Sequence, residues 1–176
     1  HRNGYPDLVG PEVGLDEDVR AFNEHHKAVQ IVLVNQFGWT RSRIGKRLPE
    51  GMTMADLRRA ADAEFGAAVY EPFGISPLEP LPAGAICIIS NVCGCYGFVQ
   101  HATQNKGTPN VIVADYTRLD RPHTIDELLE MSRQERDKLE EAVSRDVART
   151  LDERLPRSDA DRKRLLDEGQ RLMAKM

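Results

Sequence analysis

A chain of 176 residues is long enough to bury one core of ordinary size, and 40% apolar with 30% charged residues describes a folded globular protein, not a fibre or a disordered tail. A formal charge of -4 with both signs interspersed argues against a nucleic-acid binder, which carries a basic stripe on one face. The longest apolar stretches, such as residues 28–34 interrupted by Gln30, fall far short of the roughly 20 residues that a spanning helix needs, so no membrane span is expected.

Residues 1–16 hold Gly4, Pro6, Gly10, Pro11 and Gly14, a density of turn formers that reads as irregular chain. Residues 18–27 are polar and read as a helix with His25 and His26 on its surface. Residues 29–34 are dominated by β-branched side chains, the pattern of a strand buried on both faces of a parallel sheet. Residues 36–53 mix turn and basic residues without periodicity and read as a long loop; its basic cluster, Arg41, Arg43, Lys46 and Arg47, is ordinarily the mark of a solvated face. Thr53 is placed to cap a helix through Asp56, Leu57, Ala60 and Ala61 that ends near Gly66. Residues 67–70, 86–90 and 111–114 are further strand-like runs with helical patterns between them. That alternation predicts an α/β fold of parallel strands joined by right-handed crossovers.

From Thr124 the character becomes helical. Ile125, Leu128 and Leu129 share one face, and Leu139, Val143, Val147 and Leu151 continue a stripe that reads as a packing surface. Pro156 stops that helix, and Ser158 caps a last one through Leu165, Leu166 and Leu172.

The segment from Val69 to Glu79 is the most informative. A strand ending at Tyr70, a turn with Pro72 and Gly74, and a helix opening at Ser76 with Pro77 in its first position would put Glu71 at the carboxyl end of a parallel strand, where open sheets bind ligands. Amides at a helix start suit a diphosphate. Glu71 and Glu79, eight positions apart, can grip a polyhydroxylated ligand at two points. A purely structural reading stands beside each: Ser76 and Glu79 spell a capping box, and a surface salt bridge from Glu71 would contribute little.

Cys93-Gly94-Cys95 with Cys87 and His101 matches none of the common zinc spacings, so buried or loop cysteines are the better reading and no metal is expected. Three cysteines without a signal-peptide pattern fit a reducing compartment, the cytoplasm. There is no G-x-G-x-x-G, Walker loop or G-x-S-x-G, and no cofactor is expected. Gly94, Tyr96 and Gly97 follow the run ending at Ser90 as a turn.

Glu71 through Gly84, EPFGISPLEPLPAG, is similar to the E-x7-E segment of retaining GT-B glycosyltransferases, the group that includes glycogen, starch and sucrose synthases. The resemblance extends back through Ala55-Asp56-Leu57 and Ala61-Asp62 and forward through Ile86-Cys87-Ile88-Ile89-Ser90 to Gly94, covering about residues 29–115. It implies a Rossmann-like, nucleotide-sugar-binding domain over residues 1–117, the carboxyl-terminal half of a GT-B fold, with a helical extension over 118–176 packed on it. It also implies transfer of a sugar from a nucleotide diphosphate sugar, with retention of configuration, to an unidentified acceptor.

Carried over by position, the resemblance makes Glu71 the catalytic-site carboxylate that accepts hydrogen bonds from donor-sugar hydroxyls. Phe73, Gly74 and Ile75 would present amides to the sugar and distal phosphate, Ser76 and Pro77 would open the helix facing the diphosphate, and Glu79 would hold the ribose. An oxocarbenium-like transition state is implied, with the leaving diphosphate stabilised by amides and basic side chains.

Three departures bear on this. The family brings an Arg and a Lys to the diphosphate from upstream of residue 29, and residues 1–28 hold no Arg-to-Lys-Gly pattern, which leaves Arg41, Arg43, Lys46 and Arg47 as substitutes. Pro80 and Pro82 should leave the helix after Glu79 short or kinked. The family's amino-terminal Rossmann domain, which carries the acceptor site, is missing from these residues, so the chain is expected to be part of an enzyme and inactive alone. Two other classes of function stand as alternatives: a non-catalytic nucleotide-sugar-binding or assembly module with the same fold, and an interaction module built from the carboxyl-terminal helices, which would have no nucleotide affinity.

Overall fold

The computed structural model of the chain describes residues 8, 10–34, 49–66 and 68–176. They fall into two units, residues 1–57 and 58–176. In the first, helix α1 (Gly10–His25) begins earlier than expected, because Pro11 lies in its first turn, where a missing N–H costs nothing, and Gly14 is tolerated within it. Arg20 Nε donates to the buried Asp16 carboxylate at 2.7 Å, one turn apart. His25 and His26 are exposed as expected.

Residues 29–34 are not a strand. The Asn23 side chain takes both backbone groups of Ile31, donating to its carbonyl and accepting from its amide at 2.8 Å each, so those groups are not offered to a ladder. Val29, Ile31 and Val32 are exposed accordingly. β-Branched composition marks a residue that suits a buried pleat and does not create one. The basic cluster Arg41, Arg43, Lys46 and Arg47 lies outside the described residues.

Helix α2 (Met54–Ala60) is capped as expected, Thr53 Oγ1 accepting from the Asp56 amide at 3.3 Å while Asp56 accepts from the Thr53 amide at 2.9 Å. It stops well before Gly66, because the chain turns at Ala61 and Asp62 into strand β1 (Ala63–Phe65). The strand expected over residues 67–70 is absent from 68–70, where Val69 and Tyr70 are exposed. The pairing surface explains the displacement: β2 (Ile86–Ser90) takes Ala63, Glu64 and Phe65 opposite Ile86, Cys87 and Ile88, which puts a glutamate at a position no hydrophobic pattern selects.

Strand β3 (Val111–Ala114) lies on the other side of β2, and all neighbours run parallel in the order β1-β2-β3. Residues 86–90 and 111–114 are therefore strands as expected, and the class is mixed α/β around a small three-stranded parallel sheet. Helix α3 (Cys95–Thr103) makes the crossover between them. β2 is buried on both faces, since successive side chains alternate sides. Cys87 and Ile89 meet Leu78, Leu81, Val99 and Leu172, while Ile86 and Ile88 meet Val143, Val147 and Leu165.

The short helix α4 (Ile125–Glu130) follows β3 and starts in a capping box between Thr124 and Glu127. Its apolar face does not pack as expected: Ile125 is 76% exposed and Leu129 79%. So short a helix carries too little apolar area to dock firmly, and the reciprocal cap pairs the amides of Thr124 and Glu127 at its start. Helix α5 (Arg133–Arg154) buries Val143 and Val147 on the sheet, and the chain turns at Pro156 into α6 (Asp159–Met173), capped by Ser158, as expected. α6 approaches the 81–84 segment closely, where a Cβ on Gly169 would lie 2.1 Å from the Leu81 carbonyl oxygen. Asn110, fully buried, donates to the carbonyls of Ala85 and Leu165 and ties α6 to the start of β2. Among the described residues no helix is long and apolar enough to cross a membrane.

Candidate functional site

β2 ends at Ser90, whose carbonyl accepts from the Cys93 amide at 3.2 Å, and the turn then delivers the chain to the start of α3 with Gly94 as N-cap and no side-chain cap. The loop leaving β1 comes down onto this turn. The Gly94 amide donates to the Glu71 carbonyl at 2.9 Å. A Cβ on Gly94 would stand 1.8 Å from the Pro72 carbonyl oxygen, and one on Gly74, whose φ is +56°, would stand 2.1 Å from Cys93 Sγ. The two glycines are thus what lets residues 71–74 lie directly against residues 93–95.

The structure therefore brings Glu71 and Gly74 to the carboxyl end of β2, together with the glycine turn. Glu71 is half-buried, and among the described residues no hydrogen bond or ion pair engages its carboxylate. Its charge reaches Cys95, whose thiol is pushed up to about 12, mostly by burial, then by the hydrogen bond with Cys93 at a sulfur separation of 3.4 Å, and further by the field of Glu71. The amides of Phe73, Gly74 and Ile75 have no hydrogen-bond partner among the described residues. The Phe73 and Ile75 side chains are exposed.

Beyond Ile75 the structure departs from expectation. Ser76 to Leu78 form a single 3₁₀ turn with Pro77 and Leu78 buried, followed by a second over Leu81–Ala83. Prolines at 77, 80 and 82 remove the amides that an α-helix would need to propagate, so the helix breaks as Pro80 and Pro82 foretold. The Ser76–Glu79 capping box does not form; Ile75 is the N-cap, without a side-chain bond. With only three residues the turn gathers little dipole, and the diphosphate cradle expected from Ser76 and Pro77 loses its helix.

Glu79 turns instead to Arg58. Arg58 Nη1 donates to Glu79 Oε2 at 2.7 Å, while Nε and Nη2 grip the two oxygens of Glu64 at 3.0 Å each. Arg58 is raised further above its ordinary value, chiefly by its bond to Glu64, against the opposing effect of burial, and then by its bond to Glu79. Nothing in the linear pattern selected Arg58 or Glu64: the arginine reads as a dipole partner in the last turn of α2, and the pairing exists only once β1 and the 76–78 turn are in place.

The exits of β2 and β3 are joined by Asn91. Its Nδ2 donates to Asp115 Oδ1 at 2.6 Å and Thr117 Oγ1 at 2.8 Å, and its Oδ1 accepts from the Tyr116 amide at 3.0 Å. This network carried no motif either. Cys87, Cys93 and Cys95 are free and buried. Among the described residues no group of three or more His, Cys, Asp or Glu is placed to hold a metal ion. Two cavities, of about 150 Å³ beside Asp115 and Asp146 and about 220 Å³ beside Lys106 and Lys175, lie away from Glu71 and Glu79. Both are below the ~300 Å³ of an ordinary small-molecule pocket.

Comparison of the chain with protein-family models, with curated proteins and with solved structures finds no match.

Proposed function

We propose that the chain is the donor-binding domain of a retaining glycosyltransferase, the Rossmann-like carboxyl-terminal half of a GT-B architecture, taking its sugar from a nucleotide diphosphate sugar. One observation carries the reading: Glu71, a half-buried carboxylate without a partner among the described residues, stands beside three consecutive amides, at Phe73, Gly74 and Ile75, that are likewise unpartnered among them, against the carboxyl end of the central parallel strand. Ligands of open parallel sheets bind at that edge. A carboxylate accepts hydroxyls of a sugar, and the amides donate to the oxygens of a departing phosphate, where charge develops as the glycosyl bond breaks.

In this reading Glu79 holds the ribose through Oε1, Arg41, Arg43, Lys46 and Arg47 supply cations for the diphosphate, and a second Rossmann domain brings the acceptor. The free thiols fit a cytoplasmic enzyme. Titration calorimetry with a panel of nucleoside diphosphates and their sugars tests it. At least one nucleotide sugar should bind, more tightly than the matching diphosphate; a flat panel at millimolar concentration removes the reading.

The Arg58–Glu79 ion pair favours a second reading, a non-catalytic nucleotide-sugar-binding or assembly module in which Glu79 fastens the fold and does not contact ligand. Glu79→Ala would then lower stability and leave nucleotide affinity unchanged.

A further inference from the structure

We propose that Arg58 is a positioning residue that aims the Glu79 carboxylate at a nucleoside ribose, an inference that rests on the reading of Glu79 as the ribose-binding group. Three elements converge to build the arrangement. Arg58 comes from the last turn of α2, Glu64 from the middle of β1, and Glu79 from the end of the 76–78 turn, where its amide is tied to the Ser76 carbonyl at 3.2 Å.

The fork geometry leaves little freedom. Two of its N–H groups grip Glu64 in parallel, which fixes the guanidinium plane, and Nη1 then points a third at Glu79 Oε2. The Glu79 side chain is 51% exposed, against 20% for that of Arg58. Oε2 is thus anchored on the protein side, while Oε1 has no hydrogen-bond partner among the described residues.

In the glycosyltransferase reading the second carboxylate serves the ligand more than the fold. Glu64 alone neutralises Arg58, so adding Glu79 gives the cluster an excess of negative charge, and an ion pair with one half-exposed partner contributes little. The shared charge also means that Arg58 is not the missing diphosphate cation: its field is cancelled by the two glutamates it holds. A glutamate at an exposed turn otherwise samples several rotamers, and pinning one oxygen lowers the ordering cost of binding a diol through the other.

The test is binding of adenosine, uridine and guanosine diphosphates to the 176-residue chain, followed by the 2′,3′-dideoxy form of whichever binds most tightly. The wild type should prefer the ribose form by about tenfold or more, the size of a lost charge-assisted hydrogen bond. Glu79→Ala and Arg58→Gln should both bring that preference close to one. If Arg58→Gln lowers affinity for both forms equally, or keeps the full preference, the positioning role is overturned while the ribose contact of Glu79 stands. A wild type that binds no diphosphate, or that does not distinguish ribose from dideoxyribose, overturns the ribose reading itself and the inference with it. Should Arg58→Gln fail to fold by circular dichroism, Arg58→Lys decides: an ammonium on a flexible stem lacks the planar fork that holds Glu64 with two parallel N–H groups and aims a third at Glu79, so the preference should still fall, and full retention sinks the proposal.

Discussion

Gly94 donates its amide to the Glu71 carbonyl at 2.9 Å, across a contact so close that neither Gly94 nor Gly74 has room for a side chain. The backbone of the proposed donor loop is thereby fixed to the start of α3, and no hydrogen bond or ion pair among the described residues engages the Glu71 carboxylate.

Gly74→Ala and Gly94→Ala should each unseat that loop. The first meets Cys93 Sγ in a left-handed backbone, and the second meets the Pro72 carbonyl. Each should lower stability by about 1–3 kcal/mol, the usual cost of overpacking or backbone strain. Urea denaturation measures it; midpoints unchanged within error would mean that the loop is not held as described.

Glu71→Ala should discriminate between ligands. Affinity for the nucleotide sugar should fall roughly tenfold or more, at about 1.5–3 kcal/mol per lost charge-assisted hydrogen bond, with the free nucleoside diphosphate nearly unaffected. Paired calorimetric titrations read both. Equal losses for the two ligands would place Glu71 at the nucleotide and not at the sugar.

The buried thiols should be inert and alkali-sensitive. Cys87 and Cys95 are both pushed up from 9.0 to about 12, burial being the first cause at each. A folded-state value above the unfolded one means that the stabilisation is complete below about pH 9 and is lost as pH rises from there towards 12. Thiol titration at pH 8 should find Cys87 and Cys95 unreactive until denaturant is added, and the unfolding midpoint should fall above pH 9. Rapid labelling of either thiol in the native protein would contradict their burial.

Helix α4 should be acid-labile. Glu127 is held down from 4.5 to about 2, first by the Thr124 amide at 2.7 Å and then by Arg121 at 3.0 Å. A depressed folded-state value gives stabilisation that is present above about pH 4.5 and lost as pH falls towards 2. Amide exchange across residues 125–130 should accelerate over that interval, and Glu127→Gln should flatten the dependence; an acid profile identical in the variant would assign the transition to other carboxylates.

How much of this was legible follows from where each signal resides. The strands at 86–90 and 111–114 could be read because burial on both faces writes an unbroken apolar run into the chain. The caps at Thr53 and Ser158 were equally local, a side chain and an amide three residues apart. Residues 29–34 misled because the same β-branched composition was met by one asparagine that captured the backbone of Ile31.

Within the sequence alone, the E-x7-E spacing supplied the two carboxylates, and Pro80 and Pro82 determined that a helix opening at Ser76 would be short or kinked past Glu79. Which of the two carboxylates finds a partner among the described residues was decided only by tertiary structure. Glu71 is set against the glycine turn of β2, while Glu79 meets an arginine 21 positions away that is itself oriented by a glutamate in β1. Propensity and capping act over a few residues, whereas such pairings depend on which segments the sheet brings within 3 Å of each other, a quantity that no linear pattern encodes.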